Sequence, residues 1–302
     1  QKNYLKAGQR QEEARLELDV RALKKEVSRT FIQAQYWMEL EKRFDYLDSL
    51  YVSFARAASR RLETGDATLL EKLTAESKQK EIELRKSEAQ SEKKKALIQL
   101  ASLIQWESEG EGELTISSKP VILADVNSQE GHPGISWYEA GKQQALFQTR
   151  VEQQAFLPDV KVNLFRGTNL AAGSKIYPGF EVGLGIPLFF GAQSAKVKSS
   201  KSVQQQLELE AVNFQSRLES QSRALQSTLA QQLSVIQYYE TEGKQLGNQL
   251  REQAIRSFAE GEIDFIQYVQ LIENSQSLDL QYLQAKRDYL LNQLELIYFT
   301  IS

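Results

Sequence analysis

Side chains able to do covalent or metal chemistry are scarce in this chain. Cysteine is absent, and His132 is the single histidine among 302 residues. Disulfides, thiol nucleophiles and cysteine-ligated metals are therefore excluded. Nothing near His132 completes a ligand set, so it reads as a solvated or helix-capping residue rather than a metal ligand. No nucleophile–base set or phosphate loop is visible. The 37 basic and 40 acidic residues leave a net charge of −3, which gives no reason to expect nucleic acid as a partner. Lys93-Lys94-Lys95 reads as solvated surface, and Trp37, Trp106 and Trp137 as packing anchors where helices cross. The expectation is a protein that is not an enzyme and carries no catalytic, cofactor or metal site.

The elements that such a chain must position are a strand pair and very long helices. Phe180, Val182, Leu184, Ile186 and Leu188 alternate with Glu181, Gly183, Gly185 and Pro187, the period of a strand with one apolar face. Val160, Val162 and Leu164 alternate with Lys161 and Asn163 before it, with Lys161 and Arg166 interrupting the apolar face at its ends. The small and polar stretch from Gly167 to Tyr177 reads as the loop of an antiparallel hairpin. A two-stranded ribbon is marginal in water. Either it packs on the chain's own helices as a soluble α+β ribbon, or it joins strands of other subunits to close a barrel, where strands of about ten residues are apolar outside and small or polar inside.

The remainder reads as helix. No apolar run approaches the eighteen or so residues of a transmembrane helix, and the glutamine, serine, glutamate and lysine content suits long solvated helices. Residues 1–107 form a first hairpin. Leu16, Val20, Leu23, Val27, Phe31 and Ala34 step by three and four as a coiled-coil seam, on a helix spanning roughly 80 Å. Gly65 reverses the chain, Asp66 or Thr68 caps the return helix, and Leu69, Leu70 and Leu73 restart the seam. Residues 108–131 are a glycine-rich linker with short extended pieces. Residues 132–158 form a helix opened by His132-Pro133 and ended by Pro158. Residues 159–190 hold the strands, and 191–302 a second long hairpin broken at Gly261.

The chain repeats. A shift of 196 residues lays Gly65 on Gly261, Leu69-Leu70 on Phe265-Ile266 and Leu73 on Val269, the mark of a duplicated hairpin of long helices. The second copy follows a helix and two strands, so a matching helix and strand pair is expected before residue 1.

The His132-Pro133-x-Ile135 helix start, Leu157-Pro158-Asp159 before a strand, the Ile186-Pro-Leu-Phe-Phe-Gly191 turn into a helix and the two glycine reversals occur in one order along nearly the whole chain. In this constellation the chain resembles the TolC-like outer-membrane efflux factor family, and in tone its CusC-like or CzcC-like cation-efflux branch. The resemblance implies a mainly α fold with a small β part. A homotrimer would form an outer-membrane β-barrel of twelve strands, four from each subunit, above a periplasmic α-helical tunnel. The implied function is passive conduction of substrates, heavy-metal cations among them, received from an inner-membrane RND-type pump and a periplasmic adaptor. Residues 107–131 would form the equatorial collar. Gly65, Leu69, Leu70, Glu71, Gly261, Phe265, Ile266, Gln267 and Gln270 would be the tips that meet the adaptor and gate the tunnel. Only Glu71 is acidic among the positions where family tips carry carboxylates, and it also reads as a first-turn acid favoured by the helix dipole. Closure is therefore expected to rest on Leu69, Leu70, Phe265 and Ile266 rather than on charge. A soluble or periplasmic coiled-coil scaffold or adaptor without a channel is the alternative, and detergent dependence discriminates the two.

Overall fold

A computed structural model describes residues 2–65, 67–106, 132–168, 173, 175–186 and 190–299. Asp66, Leu188 and the linker at 108–131, which carry three of the expectations above, lie outside the described residues. The element order is α1 (Lys2–Glu63), α2 (Leu69–Leu103), α3 (Pro133–Gln154), β1 (Asp159–Thr168), β2 (Ile176–Gly185), α4 (Gly191–Tyr238), a π turn (Tyr239–Gly243), α5 (Lys244–Ala259) and α6 (Phe265–Phe299). The chain forms two units, Gln1–Asp19 with Gln129–Leu218 and Ile301–Ser302, and Val20–Ser128 with Glu219–Thr300.

In the first unit, the start of α1 packs on α3 through two glycines. Gln144 of α3 lies where a side chain on Gly8 would begin, and Gln11 of α1 does the same at Gly141. Thr149 and Ser200 share a buried hydroxyl–hydroxyl hydrogen bond of 2.7 Å between α3 and α4. His132 caps α3, its Nδ1 accepting from the Gly134 backbone N–H at 3.0 Å, and its ring meets Phe214 edge-on at 5.5 Å. The histidine is buried, so of the two expected roles it takes the capping one.

β1 and β2 pair antiparallel, with Val160 opposite Leu184, Val162 opposite Val182 and Leu164 opposite Phe180. Because side chains alternate in direction, these six share one face. Lys161, opposite Gly183, and Asn163, opposite Glu181, lie on the other. Lys161 therefore does not spoil the apolar face. Only Arg166, opposite Pro178, does so.

In the second unit the core is a continuous cluster that includes Leu40, Phe44, Leu47, Tyr51, Ala75, Ile82, Ala89, Ala254, Tyr268 and Ile272. Two expected seams are corrected here. Leu69, Leu70 and Leu73 are exposed. The buried stripe of α2 is instead Ala75, Ile82, Ala89 and Ala96, seven residues apart, where small side chains let the helix approach its neighbours closely. Of the expected α1 seam, Leu16, Val20 and Leu23 are likewise exposed, whereas Val27 and Phe31 are half-buried and Ala34 is fully buried, with Thr30, Leu40 and Phe44 also facing inward. Trp106, expected as an anchor, is exposed. Trp37 packs on the core beside Tyr36, their rings 5.1 Å apart.

Candidate functional site

The two tips are built by the same local code. Gly65 and Gly261 hold φ values of +82° and +75°, a left-handed conformation that strains any residue with a Cβ. Each is followed by a capping box, in which a side chain three residues into the helix reaches back to the cap. At the first tip Thr68 Oγ1 accepts from the Glu71 N–H at 3.2 Å, and Glu71 Oε2 accepts from the Thr68 N–H at 3.3 Å. At the second, Asp264 Oδ1 accepts from the Gln267 N–H at 2.8 Å, and Gln267 Oε1 accepts from the Asp264 N–H at 3.1 Å. Thr68 and Asp264 stand 196 residues apart, as do Glu71 and Gln267. The acid at 71 and the amide at 267 therefore perform one structural task. Asp264, which the sequence reading passed over, was signalled by its place on that shift.

Behind the tips lies an aromatic layer. Phe258 stacks on Tyr268 at 4.7 Å, Phe54 meets Tyr268 edge-on at 4.7 Å, and Phe258 faces Phe265 at 6.1 Å. Arg61, from the last turn of α1, lies 5.9 Å from the Phe258 ring, so the two reversals are joined side by side. Phe265 belongs to this layer, being only 5% exposed. Its neighbour Ile266 is 48% exposed, and Leu69 and Leu70 are 59% and 61% exposed. Gln267 and Gln270 are exposed, and Glu71 is half-buried. Of the residues expected to close the mouth by apolar contact, Leu69, Leu70 and Ile266 reach the surface and Phe265 does not.

Below this layer, ion pairs tie the helices together. Lys78 of α2 bridges Glu273 of α6 at 2.5 Å and Glu81 at 2.9 Å, and these hydrogen bonds raise its pKa. Lys86 joins Asp45 and Asp48 of α1 at 2.9 and 3.0 Å. Arg251 of α5 and Arg43 of α1 converge on Asp279 of α6 at 2.9 and 3.4 Å. Burial pushes the Tyr51 phenol up to about 12. Lys93 pairs with Glu41 at 2.6 Å, so part of the lysine run is cross-helix cement.

The strand pair is the second candidate surface. Val160, Val162, Leu164, Phe180, Val182, Leu184 and Ile186 are all exposed, Leu164 at 83%. Among the described residues the sheet has two strands, which leaves one edge of each strand without a strand partner. No helix among the described residues is long and apolar enough to cross a membrane.

No family model matches the sequence, and no curated protein matches it. Solved structures match the fold. The Campylobacter jejuni CmeC outer membrane channel superposes with a TM-score of 0.84 at 16% identity, covering 98% of this chain and 66% of that one. The outer-membrane channel OprN gives 0.83 at 16% identity, covering 98% and 70%. CusC, whose structures describe transmembrane channel formation, gives 0.78 at 18% identity, covering 98% and 72%. The chain thus spans about two thirds to three quarters of the length of these channels and has their fold.

Proposed function

We propose that this chain forms the greater part of an outer-membrane conduit, a passive channel with a periplasmic helical tunnel that belongs to a tripartite efflux system. The observation that carries the reading is the strand pair. Its ten-residue strands fit the length of a tilted bilayer-spanning strand. One face holds six apolar residues directed at solvent, and the opposite face holds four glycines, Asn163 and the charged Asp159, Lys161 and Glu181, with Phe165 and Tyr177 toward the loop end. Unpaired strand edges and an exposed apolar face are stable in a bilayer only when further strands close a barrel. A homotrimer supplies such strands, and the channel fold agrees with it.

The tips give the conduit its gate and its contact with a periplasmic adaptor, with substrate delivered by an inner-membrane RND-type pump. Leu69, Leu70 and Ile266 are the surface groups suited to closing the mouth, with Gln267 and Gln270 beside them. Glu71 contributes chiefly by holding its helix start. Heavy-metal cations are the substrate class favoured by the cation-efflux likeness.

Cell fractionation and native mass measurement test the assembly. The protein should sediment with outer membranes, require detergent for extraction and run as a trimer. Val162→Lys, near the middle of the apolar face, should reduce membrane recovery severalfold, while Asn163→Lys on the opposite face should not. A detergent-independent, water-soluble monomer would overturn the reading in favour of a soluble scaffold.

A further inference from the structure

In the second unit, lysines that face a neighbouring helix end on carboxylates, Lys86 on Asp45 and Asp48 and Lys93 on Glu41. The helix ends next to the strand pair carry a different kind of charge. Lys2 and Lys6 of α1, Arg150 of α3 and Lys196, Lys198 and Lys201 of α4 are all exposed. Among the described residues, none of these six takes part in an ion pair. No carboxylate occurs from Lys2 to Gln11 or from Gly191 to Leu207. Both runs end at the same place in the repeat, since Glu12 and Glu208 stand 196 residues apart, as do Lys2 and Lys198. Lys2 and Lys6 are four residues apart on one helix and Lys198 and Lys201 three on another, spacings at which like charges destabilise a helix in water. Packing within the chain does not account for them.

Register gathers these cations near one level. α1 and α3 run antiparallel, Gln144 lying over Gly8 and Gln11 over Gly141, and the same count sets Lys2 beside Arg150. Thr149 bonds Ser200, which brings Lys198 and Lys201 to that height on α4. Arg150 stands four residues before the last residue of α3, a rise of about 6 Å. Between this level and the strands come aromatic and apolar groups. Phe156 stacks on Phe190 at 5.8 Å, with Phe190 48% and Leu157 64% exposed. From the strands downward the order is an apolar face, an aromatic pair and then cations. Hydrocarbon, interface and headgroups follow one another in that order in half a bilayer. A cavity of about 520 Å³ opens between α1, α3 and α4, its lining including Tyr4, Gln148, Lys196 and Ser199. The one carboxylate of that lining, Glu152, accepts from the side-chain amides of Gln148 and Gln193.

We propose that these six cations form a docking surface for anionic phospholipid headgroups, with the cavity at Lys196 seating one phosphodiester. The occupant is a lipid of net negative charge such as phosphatidylglycerol. A zwitterionic headgroup brings its own ammonium group and gains little from lysines. Clusters of four to eight basic residues held against a membrane recognise anionic lipids, each residue strengthening binding roughly fivefold. The lysine stems are long enough to carry their ammonium groups up toward the phosphate layer. The proposal rests on the conduit reading, which puts the strands in the bilayer, and adds which lipid the helix ends select.

Lipid selectivity at the protein boundary tests the surface. The protein is reconstituted into phosphatidylcholine vesicles carrying a trace of spin-labelled phosphatidylglycerol or spin-labelled phosphatidylcholine, and electron spin resonance gives the share of each label immobilised on it. The wild type should favour the anionic label, and added salt should weaken that preference. Lys2→Gln, Lys198→Gln and Lys201→Gln together should bring the ratio of the two labels back to about one. Arginine at the same three positions should keep the preference. Lys24→Gln, Lys94→Gln and Lys244→Gln together remove the same charge from exposed positions of the second unit and should leave it unchanged. Equal shares of the two labels in the wild type, or equal loss in the second-unit triple, overturn the proposal. So does a Lys2, Lys198 and Lys201 triple that keeps its lipid preference and alters the anion-to-cation permeability ratio, which would put the cations on the lumen. If that triple loses helical signal, Lys198→Gln alone is read, with a partial fall expected and no fall contradicting the surface. Vesicle flotation after a urea wash scores insertion separately. Insertion without lipid preference overturns this inference and leaves the conduit reading standing, whereas failure to enter the vesicles overturns both.

Discussion

Two glycines and two capping pairs decide where this chain turns back on itself. At Gly261, φ +75° makes Gly261→Ala cost about 1–2 kcal/mol, measurable as a lower urea midpoint. Glu71→Gln should leave stability and conductance nearly unchanged, because glutamine closes a capping box as well as glutamate does and Gln267 already fills that role in the second repeat. The adjacent pair Phe265 and Ile266 should separate cleanly. Phe265→Ser removes a buried ring from the aromatic layer and should cost about 3–5 kcal/mol of stability. Ile266→Ser should shift the melt by no more than about 0.5 kcal/mol while loosening the closed mouth, read as a higher resting conductance. The buried phenol of Tyr51 adds a pH dependence. Its pKa is raised to about 12 in the folded chain, against about 10 when unfolded. The unfolded state ionises first, so this stabilisation is complete below about pH 10 and is lost as pH climbs toward 12. Chemical denaturation across that range should show the fall, and Tyr51→Phe should flatten part of it.

At the scale of elements, what could be read from sequence follows from how local each signal is. The alternation of the two strands, the glycine reversals and the Pro133 helix start are written in a few consecutive residues and were legible, whereas the strand register, which carries Gly167–Thr168 and Ile176–Tyr177 into the sheet, was not. The capping role of Glu71 and its repeat at Asp264–Gln267 became visible only when the geometry joined them. The seam of α2 was not legible because alanines carry it, and Leu69, Leu70 and Leu73 offered a stronger apolar signal that faces outward. The π turn had no signal at all: Tyr-Glu-Thr-Glu-Gly contains no proline, and the partners it bonds, Gln281 and Tyr282, lie some forty residues on. The alanine stripe makes a sharp prediction. Ala89 is fully buried, so Ala89→Leu should overpack the helix contact and cost about 1–3 kcal/mol, whereas Leu73→Ala on the exposed face should be nearly neutral. Thermal melts of the two variants would check the reversal of the usual expectation for leucine and alanine.

For the whole molecule, the helices and the strand pair ask for different solvents. The second unit is cemented by cross-helix ion pairs and an aromatic layer, while the strands offer solvent a face that water does not favour. The proposed channel would resolve that conflict, with its helices in water and the apolar strand face on lipid. Planar-bilayer recording on the purified protein tests this most directly. The account predicts discrete, long-lived conductance steps from a trimer, small at rest and larger in Ile266→Ser. Failure to insert, with no steps at any protein concentration from a protein that remains folded and soluble without detergent, would contradict it.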